Sequence, residues 1–158
     1  MSDLHCPARV FVARHGEASY VDGERLTAAG ERQARELGER LRGERLAKVH
    51  ASSMPRAAET ARIAAAVVGV AVELHDDLGE SGVESEQQVV ERISAALAAI
   101  ADLYRGEAVL VVGHQAALGI ALARMLPGTP AAGLDPGGVL ALEHDADGWT
   151  LGELSRKK

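Results

Sequence analysis

The sequence predicts an α/β fold: a single three-layer α/β/α domain over residues 1–158, with a mostly parallel central sheet and a C-terminal antiparallel hairpin. Two patterns carry that expectation. Short apolar runs of strand length alternate with longer stretches whose apolar residues recur at helical spacing, as in βα units packed on both faces of a parallel sheet. Near the end of the chain the pattern changes, because two strand-like runs flank the turn sequence Asp145-Ala146-Asp147-Gly148.

The first apolar run, Ala8 to Ala13, is a strand followed at once by Arg14-His15-Gly16-Glu17. Leu26, Gly30, Ala34, Leu37 and Leu41 then form one helical stripe, which Thr27 caps and Gly43 ends. On the outer side of that helix, Glu31 with Arg35 and Glu36 with Arg40 stand at i,i+4 spacing. Lys48 to Ser52 is a short strand, Pro55 to Val68 a helix, and Val70 to Leu74 a further strand. Ser85-Glu86-Gln87-Gln88 is a capping box that opens a helix with the stripe Val89, Ile93, Leu97, Ile100 and Tyr104. Val109 to Val112 is continuously apolar, as in a strand buried on both faces. Gly113-His114 follows it, then a helix from Gln115 to Leu126 and a Gly/Pro-rich loop from Pro127 to Gly138. Val139 to Glu143 and Trp149 to Leu154 make the hairpin, with Trp149 packing it onto the sheet.

Composition narrows the function classes. A chain of 158 residues can bury one sizeable core, and at 3% aromatics that core rests on Val, Leu, Ile and Ala. The net charge of −6, with Arg and Glu interleaved, argues against a nucleic-acid partner. An anionic substrate stays open, because a local cluster of arginines can hold phosphate on an acidic protein. Cys6 is the only cysteine, so neither an intramolecular disulfide nor a Cys-based metal site can form. The N-terminal sequence shows no signal-peptide pattern, and no apolar stretch nears the roughly 20 residues that span a bilayer. A cytoplasmic protein without membrane contact is the expectation.

His15, the segment Ser52 to Arg56, and His114 each lie just past the carboxyl end of a strand, where open α/β sheets place their ligands. Taken singly these residues decide little. Arg14 and Glu17 would pair at the surface, and a histidine after a buried strand is usually a hydrogen-bonded structural residue. A given tetrapeptide occurs by chance in such a chain roughly once in a thousand times. In combination they say more. Arg14-His15-Gly16-Glu17, Leu26-Thr27-x-x-Gly30-x-x-Gln33-Ala34, Arg56-Ala57-x-x-Thr60-Ala61 and Val112-Gly113-His114 together resemble the histidine phosphatase superfamily, also called phosphoglycerate-mutase-like. The resemblance covers nearly the whole chain, in matching order.

The resemblance implies that His15 becomes phosphorylated and that Arg14, Arg56 and His114 form the phosphate pocket. Those residue types suit the chemistry. Phosphoryl transfer needs an in-line nucleophile and a rigid positive cage for the equatorial oxygens. A neutral imidazole is a nucleophile at physiological pH, and arginine forks match phosphate oxygens bidentately. With His114 as a histidinium, the cage would approximately balance a phosphate of roughly −1.5 to −2. Neither a metal nor a cofactor is needed. The family often carries a glutamate two residues after a leucine, so Leu78-Gly79-Glu80 makes Glu80 the candidate general acid/base. Glu84, in Gly82-Val83-Glu84-Ser85, is the second candidate. His75-Asp76-Asp77 reads as solvated surface rather than a metal site, and His5, His50 and His144 show no partner spacing. Ser52 and Ser53 suit a pocket-shaping role.

Two departures from the family pattern narrow the activity. Ala18 stands where many members have Ser or Thr, and Ser19-Tyr20-Val21-Asp22 lacks the Asn that touches phosphate. The link from Glu17 to Leu26 is short, as is the segment between Glu80 and Ser85, so the long substrate lids of the mutases have no counterpart. The expected activity is hydrolysis of phosphomonoesters through a phosphohistidine on His15. The alternatives, in order, are a protein phosphohistidine phosphatase, a phosphoglycerate mutase and a non-catalytic phospho-binding domain. The expected partner is a small phosphorylated substrate or a phosphohistidine protein.

Overall fold

The computed structural model describes residues 6–21, 24–127 and 134–152. In chain order the elements are β1 (Ala8–Arg14), α1 (Ala28–Arg40), β2 (Leu46–Ser52), α2 (Pro55–Val68), β3 (Val72–His75), α3 (Glu86–Leu103), β4 (Ala108–Gly113), α4 (Gln115–Met125), β5 (Val139–Asp145) and β6 (Gly148–Leu151). The strands form one sheet in the order β3-β2-β4-β1-β5-β6. The first four run parallel, while β5 is antiparallel to β1 and β6 to β5. His5, Asp22, the centre of the long loop after Pro127, and the last two residues of the expected final strand lie outside the described residues.

Alternation along the central strands sorts the side chains into two cores. Val10, Val12, Val109 and Val111 face α3 and α4, meeting Ile93, Leu97, Leu118 and Ala121. Phe11, Ala13, Leu110 and Val112 face α1 and α2, meeting Leu37, Leu41, Ala57 and Ala61. The small residues on α1 and α2 let these helices approach closely. A Cβ on Gly38 would stand 2.7 Å from that of Val67. All six residues of β4 are buried, as its unbroken apolar run requires. Among the described residues no helix is long and apolar enough to cross a membrane.

Local signals account for the helix starts. Thr27 Oγ1 accepts the N–H of Gly30, Pro55 opens α2, and Ser85 and Gln88 close both halves of the capping box. The end of α1 departs from expectation. Gly43 does not stop it: α1 ends at Arg40, Leu41 caps it, and residues 42–44 form a tight 3₁₀ turn. Glu44 is buried there against Arg9 at 2.8 Å, and the left-handed reversal falls on Arg45 (φ 58°). The expected i,i+4 pairs on α1 do not close either; Glu39 pairs with Arg42 beyond the helix end. β3 starts at Val72 rather than Val70, because the Val70 N–H is used to terminate α2 on Ala65.

Candidate active site

Arg14 of β1 lies opposite Gly113 of the parallel strand β4, so the next residues, His15 and His114, leave the sheet side by side. The helix after β1 packs on one face and the helix after β4 on the other. That divergence opens a crevice between the two strand ends, the position where such sheets bind ligands. The imidazole centroids stand 5.3 Å apart. β2 flanks β4, and the start of α2 brings Arg56 to the same edge.

His15 is buried, with Nδ1 2.7 Å from the carbonyl oxygen of Gly16. A carbonyl only accepts, so Nδ1 carries the ring proton and Nε2 keeps its lone pair. Arg56 Nε donates to that lone pair at 3.2 Å. Burial pushes the His15 pKa below its ordinary value; the Gly16 carbonyl opposes this, and the charges of Arg56 and Arg14 add to it. The ring is therefore a neutral base at physiological pH.

The backbone around His15 is clamped. Gly16 N–H donates to Thr60 Oγ1 at 3.0 Å, and the Thr60 hydroxyl donates to Arg56 O at 2.8 Å. Glu17 accepts the Thr27 hydroxyl on its carboxylate at 2.7 Å, while its own N–H reaches Gln33 Oε1 at 2.8 Å. Glu17 thus serves Thr27 and the start of α1, and it forms no surface pair with Arg14. A Cβ on Gly30 would stand 2.0 Å from Glu17 O, and one on Gly16 would stand 2.6 Å from Gly30 O. Only glycine at both positions lets these backbones meet.

Arg56 is 6% exposed; its guanidinium pairs with the Glu24 carboxylate and lies 5.5 Å from the Tyr20 ring centroid. Arg14 donates from Nη1 to the Leu134 carbonyl at 3.1 Å, and among the described residues its buried Nε has no partner. His114 is fully buried, with Nε2 2.9 Å from Ser52 Oγ and, among the described residues, no partner for Nδ1. Ser52 Oγ also accepts the Met54 N–H at 3.2 Å; in the tautomer with the ring proton on Nδ1, the Ser52 hydroxyl donates to His114 Nε2. Burial, then the charge of Arg56 and the nearness of His15, hold the His114 pKa down at about 4. With no phosphate beside it, a buried ring next to a guanidinium is neutral; the histidinium expected from the sequence belongs to the phosphate-bound cage. Buried polar groups are nearly always bonded, so the orphan donors Arg14 Nε and His114 Nδ1 mark a place for a ligand's acceptor oxygens.

Glu80 meets the start of α4. Its Oε1 accepts N–H groups of Ala117 at 2.8 Å and Ser81 at 2.9 Å, and its Oε2 that of Ala116 at 3.3 Å. Burial works to raise its pKa, but these three donors and His114 together bring it below the ordinary carboxylate value. It is an ionised cap on the helix that follows His114, close enough to act electrostatically on His15. Glu84 is paired instead with Arg92, at 2.6 and 2.9 Å.

The model of the histidine phosphatase superfamily (branch 1) matches residues 10–83 and 80–156. The chain belongs to the histidine phosphatase superfamily. It is 28% identical over 165 aligned positions to the probable phosphoglycerate mutase GpmB of Salmonella choleraesuis (strain SC-B67), covering 78% of this chain and 76% of that protein. The fold is shared with the alpha-ribazole phosphatase from Shigella flexneri (TM-score 0.73, 24% identity, 94% of this chain and 96% of that one). It is shared equally with the protein histidine phosphatase SixA complexed with tungstate (TM-score 0.75, 23% identity, 92% of this chain and 94% of that one).

For this histidine phosphatase superfamily member, the structure brings Arg14, His15, Arg56 and His114 to one crevice, sets Glu80 at its rim and leaves Glu84 in an ion pair with Arg92. Sequence reasoning missed Glu24, whose position in a short loop gives no signal of contact with Arg56. It also missed Arg92, which donates to the carbonyls of Asp77 and Gly79 and so fixes the loop that carries Glu80. His50 is not without a partner: strand pairing sets it against His75, with Nδ1 2.9 Å from Nε2.

Proposed function

We propose that this chain is a phosphatase that hydrolyses phosphomonoesters through a phosphohistidine on His15. One observation carries the reading: His15 presents a neutral, buried Nε2 lone pair beside Arg56, flanked by two unpartnered buried donors. In the first step Nε2 attacks phosphorus in line. The N–P bond forms as the P–O bond breaks, and the departing alkoxide takes a proton from solvent water or from the minor protonated form of Glu80, which the attacking water of the second step restores. Water then attacks the same phosphorus, the electron pair returns to Nε2, and inorganic phosphate leaves.

Arg14 and Arg56 hold the equatorial oxygens, and the His114 Nδ1–H donates a further hydrogen bond. The negative charge of a bound phosphate favours protonation of His114, so the ring's charge follows substrate binding. Glu80 can take the proton of the attacking water. Its service as an acid to the departing alcohol is limited, because three backbone donors favour its ionised form.

That property of Glu80 favours a second reading, a protein phosphohistidine phosphatase. A protonated phosphohistidine leaves as neutral imidazole and needs no carboxylic acid. A phosphoglycerate mutase fits less well, since the short link between Glu17 and Leu26 provides no long lid to retain the intermediate. A non-catalytic phospho-binding domain has no use for a neutral base among its arginines.

The test is labelling with a radioactive phosphomonoester, quenched in alkali, where the N–P bond survives. Label is expected on His15, and His15→Asn should abolish it and lower kcat by about 10³-fold or more. A folded wild-type protein that takes no label ends the proposal. Glu80→Gln then separates the two readings: loss of ester hydrolysis favours the first, and surviving turnover of a phosphohistidine peptide favours the second.

A further inference from the structure

Away from the crevice, β2 and β3 assemble a second group of convergent side chains. The register pairs His50 with Glu73 and Ser52 with His75, and residues two apart on a strand share a face. His50, Glu73 and His75 therefore project together. His50 Nδ1 lies 2.9 Å from His75 Nε2, and His75 Nε2 lies 3.3 Å from Glu73 Oε2. One donor atom from each residue falls within 4.8 Å of both others.

We propose that His50 Nδ1, His75 Nε2 and Glu73 Oε2 form a binding site for a divalent transition-metal ion of the zinc class. In the protein without an ion, a single proton must serve all three atoms. If His75 Nε2 carries it, both His50 and Glu73 compete for that one N–H. A cation in the proton's place accepts all three lone pairs at once. Bonds of about 2.0–2.2 Å in tetrahedral array put ligand atoms about 3.3 Å apart, which matches the His75–Glu73 separation and asks His50 and His75 to part by a few tenths of an ångström.

The donor set selects the ion. Two imidazole nitrogens and one carboxylate oxygen suit zinc and its neighbours better than calcium or magnesium, which prefer all-oxygen shells. The carboxylate is already oriented. Lys48 Nζ holds Glu73 Oε1 at 3.0 Å and leaves Oε2 for the ion, although its charge also limits affinity. His50 is buried beside the Tyr104 ring, whereas the side chains of His75 (20% exposed) and Glu73 (46% exposed) open a path for the ion and a water as fourth ligand. Bound metal would tie the four-residue edge strand β3 to β2, whose Ser52 holds His114.

The experiment titrates Zn²⁺ into the purified, chelator-treated chain by calorimetry, and Co²⁺ with its visible absorption as a reporter of tetrahedral geometry. Wild type should bind one equivalent, with a rise in Tm on adding zinc. Loss of an outer-shell partner costs about 10- to 100-fold in metal affinity, so His75→Ala should lose at least that much, along with the Tm rise and the cobalt spectrum. Glu73→Gln supplies a second, milder variant at an exposed position. His15→Asn keeps this site while removing a histidine from the crevice and should bind zinc as wild type does. The proposal is overturned if wild type binds no zinc, if His75→Ala and Glu73→Gln bind as tightly as wild type, or if His15→Asn alone abolishes binding.

Discussion

Two histidine pairs lie within one strand's reach of each other, and their neighbours give them opposite character. His15 and His114 sit at the carboxyl edge among Arg14 and Arg56, where the unpartnered groups are donors. His50 and His75 sit on the face of β2 and β3, where the nearest charged partner is the Glu73 carboxylate and the convergent atoms are acceptors. Both pairs contain one fully buried ring. The imidazole is the same in each case, so the surroundings decide whether the site suits an anion or a cation. Position in the fold supplies those surroundings: diverging helices bare the strand ends, while neighbouring strands bring side chains of one face into contact.

Acid should break both pairs, and this is the largest effect expected. Burial holds His50 and His114 each at about 4, against an ordinary 6.5. Their folded pKa values are depressed, so below pH 6.5 the unfolded chain takes up protons that the native protein refuses. The stability they contribute is complete above pH 6.5 and is lost as pH falls toward 4. Each is worth about 3 kcal/mol over that window. Urea unfolding should therefore show a fall of about 5 kcal/mol between pH 7.5 and pH 4.5. His50→Gln and His114→Gln should each remove about half of the slope. An unchanged slope in either variant would mean that its ring is protonated in the native state, and the pairs would differ more than their shared burial implies.

Gly30→Ala tests whether the anion side alone depends on backbone fit. The new Cβ would meet Glu17 O at 2.0 Å, and backbone cannot swing aside as a side chain does. A cost of about 1–3 kcal/mol is expected, with lower turnover because the His15 loop shifts. The His50–His75 pair rests on strand register and should keep its histidine NMR signals. Equal disturbance of both pairs would show that they are one unit.

The parts of the molecule that were legible in the sequence rest on local signals. The capping box at Ser85, Pro55 at the start of α2 and the continuous run of β4 each act within a few residues. His15 and His114 each follow directly on a strand end, so the sheet itself aligns them, and Arg56 stands in the first turn of the helix that follows β2. What escaped depends on contacts between distant residues. His50 meets His75 only through a strand register that neither segment encodes alone. Glu80 was singled out by its motif, yet its bonds to Ala116 and Ala117 join its loop to the start of α4 and make it a helix cap as well. Gly43 promised a helix end, but the buried Glu44–Arg9 pair moved the reversal to Arg45.

The smallest effect sharpens the anion side. Glu24 has no counterpart in the His50 group: it is a carboxylate placed against the one guanidinium that touches His15. On the proposed function, phosphate would have to displace it to reach Arg56. The pair is partly open to solvent on the Glu24 side (42% exposed), so its strength is modest, and the gain from removing it is correspondingly small. Glu24→Gln should lower KM for a phosphomonoester and the inhibition constant of inorganic phosphate by about two- to fivefold, with kcat nearly unchanged. Raising the salt concentration should narrow the difference between variant and wild type, since screening weakens the same pair. A rise in KM would instead make Glu24 a group that holds Arg56 in place for its ligand, and the crevice would then need a carboxylate as much as the β2–β3 cluster does.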